Sequence, residues 1–428
     1  MITVFIVFLI LVALGMPVAF AVGISGFVFY LTEPTVSLTI PAQVGLTQTQ
    51  NFAILAIPLF IFAGNCLNET GLTKRLLDFS SALTGHMRAG LGHVGIVSAF
   101  MMGGVTSSAI GDATMFGRVL GPGMMARKYA PGFAAGIIGT SSLITTMVPP
   151  GIGLILYGTL GEVSIGRLFA AGVVPGVLMA VLLMAAVTVT ARLKDYPPER
   201  PERAPVSTVV KAGLTSSLAL LFPVLLILGL RFGYFTPSEA GAFAVAYALV
   251  VGLLLYRELS WTGLSRALRN TVVDVGMIML LIVTSASWGH GLTWDRIPQR
   301  LMAGLIEISS DPVVLMFILV IALLIAGMFM DSTVLILLLT TMLVPVAEAA
   351  GIDPIHFGIV MVLTLTLGLL TPPIGIVMLI VCSAFKTDVA TYWRQSTLLL
   401  TSMLLLLVVL ILVPEITLWL PDLIYSSG

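Results

Sequence analysis

Long apolar runs, each ended by Gly, Pro or charge, make up most of this chain. In the second half they stand at about 212–230, 237–256 and 272–289, the last preceded by the amphipathic stretch RELSWTGLSRALRN. An amphipathic arm (about 293–308) follows. After it come an apolar region interrupted by Gly and polar residues (311–350), a proline-broken segment (354–385) and a closing helix (395–414). The first half runs in the same order: an arm at about 73–88, an interrupted region at 90–128, a broken segment at 131–161 and a closing helix at 168–191. The sharpest interruption is ITTMVPPGIG, Ile144 to Gly153. Proline has no amide hydrogen and clashes with the preceding turn, so two in succession beside glycines stop a helix where no water can satisfy the backbone.

The order is shared because the chain repeats itself. A shift of 223 residues carries Pro122 onto Pro345, Pro131 onto Pro354, Pro149 onto Pro372, Pro150 onto Pro373 and Gly104 onto Gly327. It also carries AFAV at Ala19 onto AFAV at Ala242, while GLT at Gly71 recurs at Gly291 with a local slip of three residues. Two units are therefore expected, 1–195 and 212–428, joined by a cytoplasmic linker, 196–211, that takes in most of the polar stretch RLKDYPPERPERAP (192–205). Mapping back by 223 also divides the apolar Ile2 to Leu31 near Pro17 into two short helices. A secretory signal needs a basic n-region, and the first Lys or Arg is Lys74, so this stretch reads as mature membrane structure.

If each interrupted region is a re-entrant hairpin, each unit crosses the membrane five times, and an odd number inverts the second unit. The basic residues agree: with the N-terminus outside, fifteen Lys and Arg fall inside and four outside, Arg118 lying in the first hairpin. Composition sets the class: 58% hydrophobic and 9% charged residues with a mean hydropathy of +1.11 describe an all-α polytopic membrane protein. A formal net charge of zero gives no reason to expect a nucleic acid partner. Cys66 and Cys382 lie far apart, and His86, His93, His290 and His356 show no ligand spacing, which argues against disulfides and structural metals.

Non-helical backbone at membrane depth is tolerated where protein or a water-filled cavity surrounds it, so the double prolines mark such a place. Freed carbonyls suit a small cation, and half-helix N-termini suit a carboxylate. Hydroxyls cluster before the breaks: Ser141, Ser142, Thr145 and Thr146, then Thr364, Thr366 and Thr371. The hairpin tips, GGVTSSAIGD (Gly103 to Asp112) and AGMFMDST (Ala326 to Thr333), supply a second wall. All of these are hard oxygen donors, matched to Na⁺ rather than to a transition metal. Asp112 and Asp331 stand out because an intramembrane carboxylate costs about 2.5–3.5 kcal/mol on insertion scales. Asp331 is read as functional. Asp112 reads equally as a cap on the second hairpin helix, and Glu239 and Asp274 read as solvated ends of segments.

The stretches PLFIFAGNCLNETGLTKRLLDF, YAPGFAAGIIGTSSLITTMVPPGIGLILYG, GRLFAAGVVPG, GMFMDSTVLILLLTTMLVPV and GIDPIHFGIVMVLTLTLGLLTPPIG, nearly end to end, resemble the large membrane subunit of tripartite ATP-independent periplasmic (TRAP) transporters. The resemblance implies an elevator-type, sodium-coupled secondary importer of small organic acids in the bacterial inner membrane, with both termini periplasmic. It implies two partners, a small four-helix membrane subunit and a periplasmic substrate-binding protein. It implies one Na⁺ site at Thr106, Ser107 and Ser108 with Thr145 and Thr146, and another at Asp331, Ser332 and Thr333 with Thr366, Gly368 and Thr371. Substrate would lie between them, against Ser108, Asp112, Thr145, Pro149, Pro150, Ser332, Pro372 and Pro373. Family members commonly carry a Ser-Gly-Ser tip where this chain has Thr106-Ser107-Ser108. The alternatives are a stand-alone Na⁺/dicarboxylate symporter or ion antiporter of the same design, a channel, and an intramembrane enzyme. No H-E-x-x-H or G-x-S-x-G motif supports the enzyme, and paired broken helices argue for an occluded site over a channel.

Overall fold

The computed structural model describes residues 1–50, 52–200 and 202–425, so position 201 of the expected linker and the last three residues of the expected second unit lie outside it. Every named element is helical. The first half holds α1 (Ile2–Ala13), α2 (Val18–Thr32), α3 (Ile40–Thr49), a 3₁₀ turn (Phe52–Leu55), α4 (Ala56–Asn68), α5 (Leu72–Thr84), α6 (Gly90–Met102), α7 (Ala109–Ala126), α8 (Pro131–Met147), α9 (Ile152–Leu160) and α10 (Ile165–Lys194). The second holds α11 (Val206–Arg231), α12 (Pro237–Leu249) with a π turn (Val250–Leu255), α13 (Trp261–Trp294), α14 (Ile297–Ile308), α15 (Pro312–Phe329), α16 (Ser332–Ala349), α17 (Pro354–Gly368), α18 (Ile376–Ala384), α19 (Val389–Leu412) and α20 (Glu415–Tyr425). Starts recur 223 residues apart: α7 with α16 and α8 with α17 coincide, and α10 with α19 agrees within one residue.

Punctuation in the sequence sets these boundaries. Pro131, Pro237, Pro312 and Pro354 stand at the first helical positions, where the missing amide hydrogen costs nothing. Ser164, Thr236, Ser260, Asp353 and Asp388 cap their helices, and Thr236 forms a reciprocal capping box with Glu239. Glu239 is thus a helix-start residue, as expected. Leu14–Pro17 separates α1 from α2, which gives the two short helices predicted there.

By length and composition, seven described helices could cross a membrane, or up to nine if each bent pair counts as one. Large apolar side chains such as Leu214, Leu254, Ile321 and Leu405 face outward, as lipid solvation permits. Both arms of the second hairpin, α15 and α16, are among the seven. Two blocks can be distinguished: α2, α3 and α4 gather with α13, and α12 lies on α4, while α6, α7, α9, α10, α17 and α19 gather around α8; the blocks touch where α4 meets α9. α5 packs against α6 of the second block and against α11, which lies beside α12 of the first.

Two expectations are corrected here. Residues 261–270 of RELSWTGLSRALRN and the following apolar run are not separate segments but one 34-residue helix, α13, because Ser260 caps it and no proline interrupts it. Asp274 accordingly lies inside α13 rather than at a segment end. The polar linker, in turn, is partly structured: α11 begins at Val206, and residues 195–200 dock on the rest of the chain.

Candidate functional site

Both double prolines are cis, and each separates two helices: α8 from α9, which bend by 44°, and α17 from α18. Pro149 and Pro150 offer no amide hydrogen to the carbonyls of Thr145 and Thr146 four residues back. Just before the second break the Thr371 amide donates to Gly368 O (2.9 Å), and across it the Met378 amide donates back to Leu369 O (3.1 Å). Gly375, at φ +52°, donates to Met328 O (3.0 Å) and so joins this break to the end of α15. A Cβ on Gly368 would fall 2.6 Å from Gly327 Cα, so α15 and α17 meet backbone to backbone. Beside the first break, a Cβ on Gly103 would collide with Val148.

A cavity of about 940 Å³ lies between the tips of the α6–α7 and α15–α16 hairpins. Of the residues expected at the site, Thr106, Ser107, Ser108, Asp112, Thr146, Pro150, Asp331, Ser332, Thr333 and Thr366 line it. Thr145, Pro149, Gly368, Thr371, Pro372 and Pro373 do not. Thr145 and Pro149 are buried behind the wall, Gly368 is spent on packing, and Pro373 is exposed.

The first tip is tightly organised. The Thr106 hydroxyl donates to Asp112 Oδ2 (2.7 Å), and the Thr145 side chain reaches the same carboxyl group. The Ser107 hydroxyl donates across to Pro150 O (2.6 Å) and to Gly103 O (3.1 Å). Ser107 holds φ at +51°, a left-handed conformation that glycine takes freely and serine takes at a cost. Its two hydrogen bonds offset that cost, and one of them fastens the tip to the helix break.

The two singled-out carboxylates are held differently, and of the two readings of Asp112 the capping one is not met. Asp331 is the N-cap of α16, accepting from the Thr333 amide (2.9 Å), whereas Ser108 caps α7. Asp112 is not the cap. It lies a turn inside α7, is 2% exposed, and is absent from the ion pairs among the described residues. The threonines before the breaks donate to their own helices: Thr145 to Ser142 O, Thr146 to Leu143 O, Thr366 to Val362 O and Thr371 to Leu367 O. That is the usual habit of apolar helices, and each oxygen keeps lone pairs able to accept.

Sequence reading missed part of the opposite wall. Asn65 and Asn68 on α4, Thr73, and Asp274 with Met277, Ile278 and Leu281 on one face of α13 also line the cavity. Asn65 donates to Thr271 of α13 (3.0 Å). Two amides one helical turn apart within the apolar PLFIFAGNCLN were the available signal.

The fold is all-helical, with broken helices around an internal cavity. The Alcanivorax borkumensis YdaH transporter shares it, with a TM-score of 0.58 at 14% identity over 85% of this chain and 86% of that one. The family model for the tripartite ATP-independent periplasmic transporter, DctM component, matches residues 5–416, and the chain belongs to that family. It is 34% identical over 416 residues to the sialic acid TRAP transporter large permease protein SiaM of Vibrio cholerae, covering 97% of this chain and 96% of that protein. It is 34% identical over 375 residues to the 2,3-diketo-L-gulonate TRAP transporter large permease protein YiaN of Escherichia coli, covering 88% of each. A further relative is the C4-dicarboxylate TRAP transporter large permease protein DctM of Vibrio cholerae, 29% identical over 96% of this chain and 95% of that one. The chain is thus a multi-pass transporter permease subunit, not an enzyme.

Proposed function

We propose that this chain carries a small organic acid inward across the inner membrane together with Na⁺, as the transporting subunit of a complete TRAP assembly. The observation that carries this reading is the charge of the cavity. Its lining holds Asp112, Asp274 and Asp331 and, among the described residues, no Lys, Arg or His. An organic acid entering such a space needs a positive counterpart that the side chains do not supply. Bound cations provide it, helped by the N-termini of α7, α9 and α16, whose first residues line the same space.

The donors fit Na⁺: a carboxylate, hydroxyls with free lone pairs, and carbonyls left without amide partners are all hard oxygens. Thr106, Ser107 and Ser108 with Thr145 and Thr146 would hold one ion. Asp331, Ser332 and Thr333 with Thr366, Gly368 and Thr371 would hold the other. The acid would sit between them against Ser108, Asp112, Pro150 and Ser332, making cation and acid occupancy interdependent. In this reading the two halves are inverted repeats with both termini periplasmic. The block around α8 moves as an elevator against the block around α13, and α5 and α14 link the two. A periplasmic binding protein delivers the acid, and a small membrane subunit flanks the scaffold. The relatives' names place sialic acid and C4-dicarboxylates among the acids to test first.

Two measurements test this. Thermal midpoints of the purified chain are expected to rise with NaCl and not with KCl at equal ionic strength, as binding to the folded state requires. In proteoliposomes holding the complete assembly, accumulation of labelled succinate or N-acetylneuraminate is expected to follow an imposed Na⁺ gradient. Equal accumulation with K⁺ or proton gradients alone would refute the ion assignment.

A further inference from the structure

The stretch after α10 looks like a tether in the sequence, yet it grips two parts of the molecule at once. Tyr196 is 8% exposed, stacks on Phe133 (5.3 Å, 6°), lies beside Tyr129 (4.9 Å), and accepts from the Ala130 amide (3.1 Å). The Ala89 amide donates to Pro197 O (3.2 Å), Arg88 pairs with Pro198 in a β-bridge, and Arg88 meets Asp195 (2.9 Å). These contacts fasten the segment to the two feet of the first hairpin.

Beyond Pro198 it reaches the arm. The Glu199 and Arg200 amides both donate to Gly85 O (2.9 and 3.0 Å), and the Ser81 hydroxyl donates to the Glu199 carboxylate at 3.0 Å from each oxygen. Glycine is required at the joint, since a Cβ on Gly85 would lie 2.7 Å from Glu199 Oε2 and one on Gly90 would lie 2.8 Å from Glu199 N. The other end of the arm is held by the opposite block. Arg75 makes a two-pronged pair with Glu258 (2.7 and 2.8 Å), covers the Tyr256 ring at 3.9 Å, and accepts at its carbonyl from Ser216 of α11 (3.1 Å).

The arm α5 thus bridges the two blocks with both ends secured. If the blocks move against each other, one end has to yield. The Arg75 end is held by several contacts at once: the two-pronged pair with Glu258, the Tyr256 ring and the Ser216 hydroxyl. At the Glu199 end the joint is made by hydrogen bonds to half-buried Glu199 and Arg200, with no ion pair at Glu199 among the described residues, so fewer interactions have to be broken there.

We propose that residues 195–200 form a releasable strap, in which Tyr196 anchors the segment permanently to the hairpin feet and Glu199 lets go of arm α5 in each transport cycle. Glu199 is here a positioning residue, since it does not touch the cavity, and the inference rests on the transport reading above.

The test replaces Ser81→Cys and Glu199→Cys together and bridges the thiols with a short bis-thiosulfonate reagent in the complete reconstituted assembly. Cys66 and Cys382 are buried, and the parent protein treated identically serves as control. Bridging is expected to reduce uptake of labelled succinate or N-acetylneuraminate at least about tenfold, with recovery on reduction, because the conformational step is blocked. Each single variant is expected to transport with or without reagent, a pattern that a merely structural role would not give. Uptake that survives complete bridging, verified by mass, overturns the strap. Absence of uptake by the unmodified assembly overturns the transport reading instead.

Discussion

Ser107 shows how one residue can trade backbone strain for a tether. Its left-handed φ of +51° is disfavoured for any residue with a Cβ, by about 1–2 kcal/mol. Its hydroxyl meets Pro150 O and Gly103 O in return. Ser107→Gly removes the strain and the bonds together, so stability should change little. Ser107→Ala keeps the strain and loses the bonds. The alanine variant should therefore be less stable than the glycine variant by about 1 kcal/mol, read from denaturation midpoints of the purified proteins. Both should show faster amide exchange at the tip. Equal stability of the two would mean that the tip does not hold this conformation.

At the scale of elements, the close approach of α15 and α17 is the most demanding contact. Gly368→Ala places a methyl group against the Gly327 backbone, which has no rotamer by which to move aside. Forcing such helices apart costs about 1–3 kcal/mol, so the thermal midpoint should fall measurably. Sequence punctuation revealed most elements, because Pro, Gly and capping residues act locally and state their effect in the chain. α13 escaped, since a polar face along 261–270 resembles a separate amphipathic arm although nothing in it stops a helix. The docked strap escaped for another reason: its bonds to Gly85 and Ala89 are made by backbone groups, which carry no side-chain signature. Among the site residues, the ten that line the cavity come from stretches whose polarity contradicts an apolar setting. Asp274 was set aside because it lies only a few residues inside an apolar run. Its exposure to the cavity depends on which face of α13 turns inward.

For the whole molecule, the joint between α5 and the α13 block depends on ionisation. The Arg75 hydrogen bond, with attraction from Arg75 and Lys74, holds the Glu258 carboxyl below the usual glutamate range. A lowered folded value means that its stabilisation is complete above the ordinary glutamate pKa and is lost as pH falls through the folded value. Glu258 is 44% exposed, so screening limits the contribution to less than about 1 kcal/mol. Parent protein should melt above Glu258→Gln at neutral pH, and the gap should close in acid once pH falls below the lowered folded value. A gap that persists there would assign the difference to packing against Tyr256 instead.

α13 has a further consequence for how such a molecule sits in its surroundings. At 1.5 Å per residue its 34 residues measure about 51 Å, well beyond a hydrocarbon core of about 30 Å. An unbroken rod cannot shorten, so it must lean or protrude, and α2, α3 and α4 are packed along it. The helix therefore behaves as a keel: it fixes the depth and tilt of the helices packed along it, and any thinning or thickening of the surrounding lipid has to be absorbed by the jointed helices opposite.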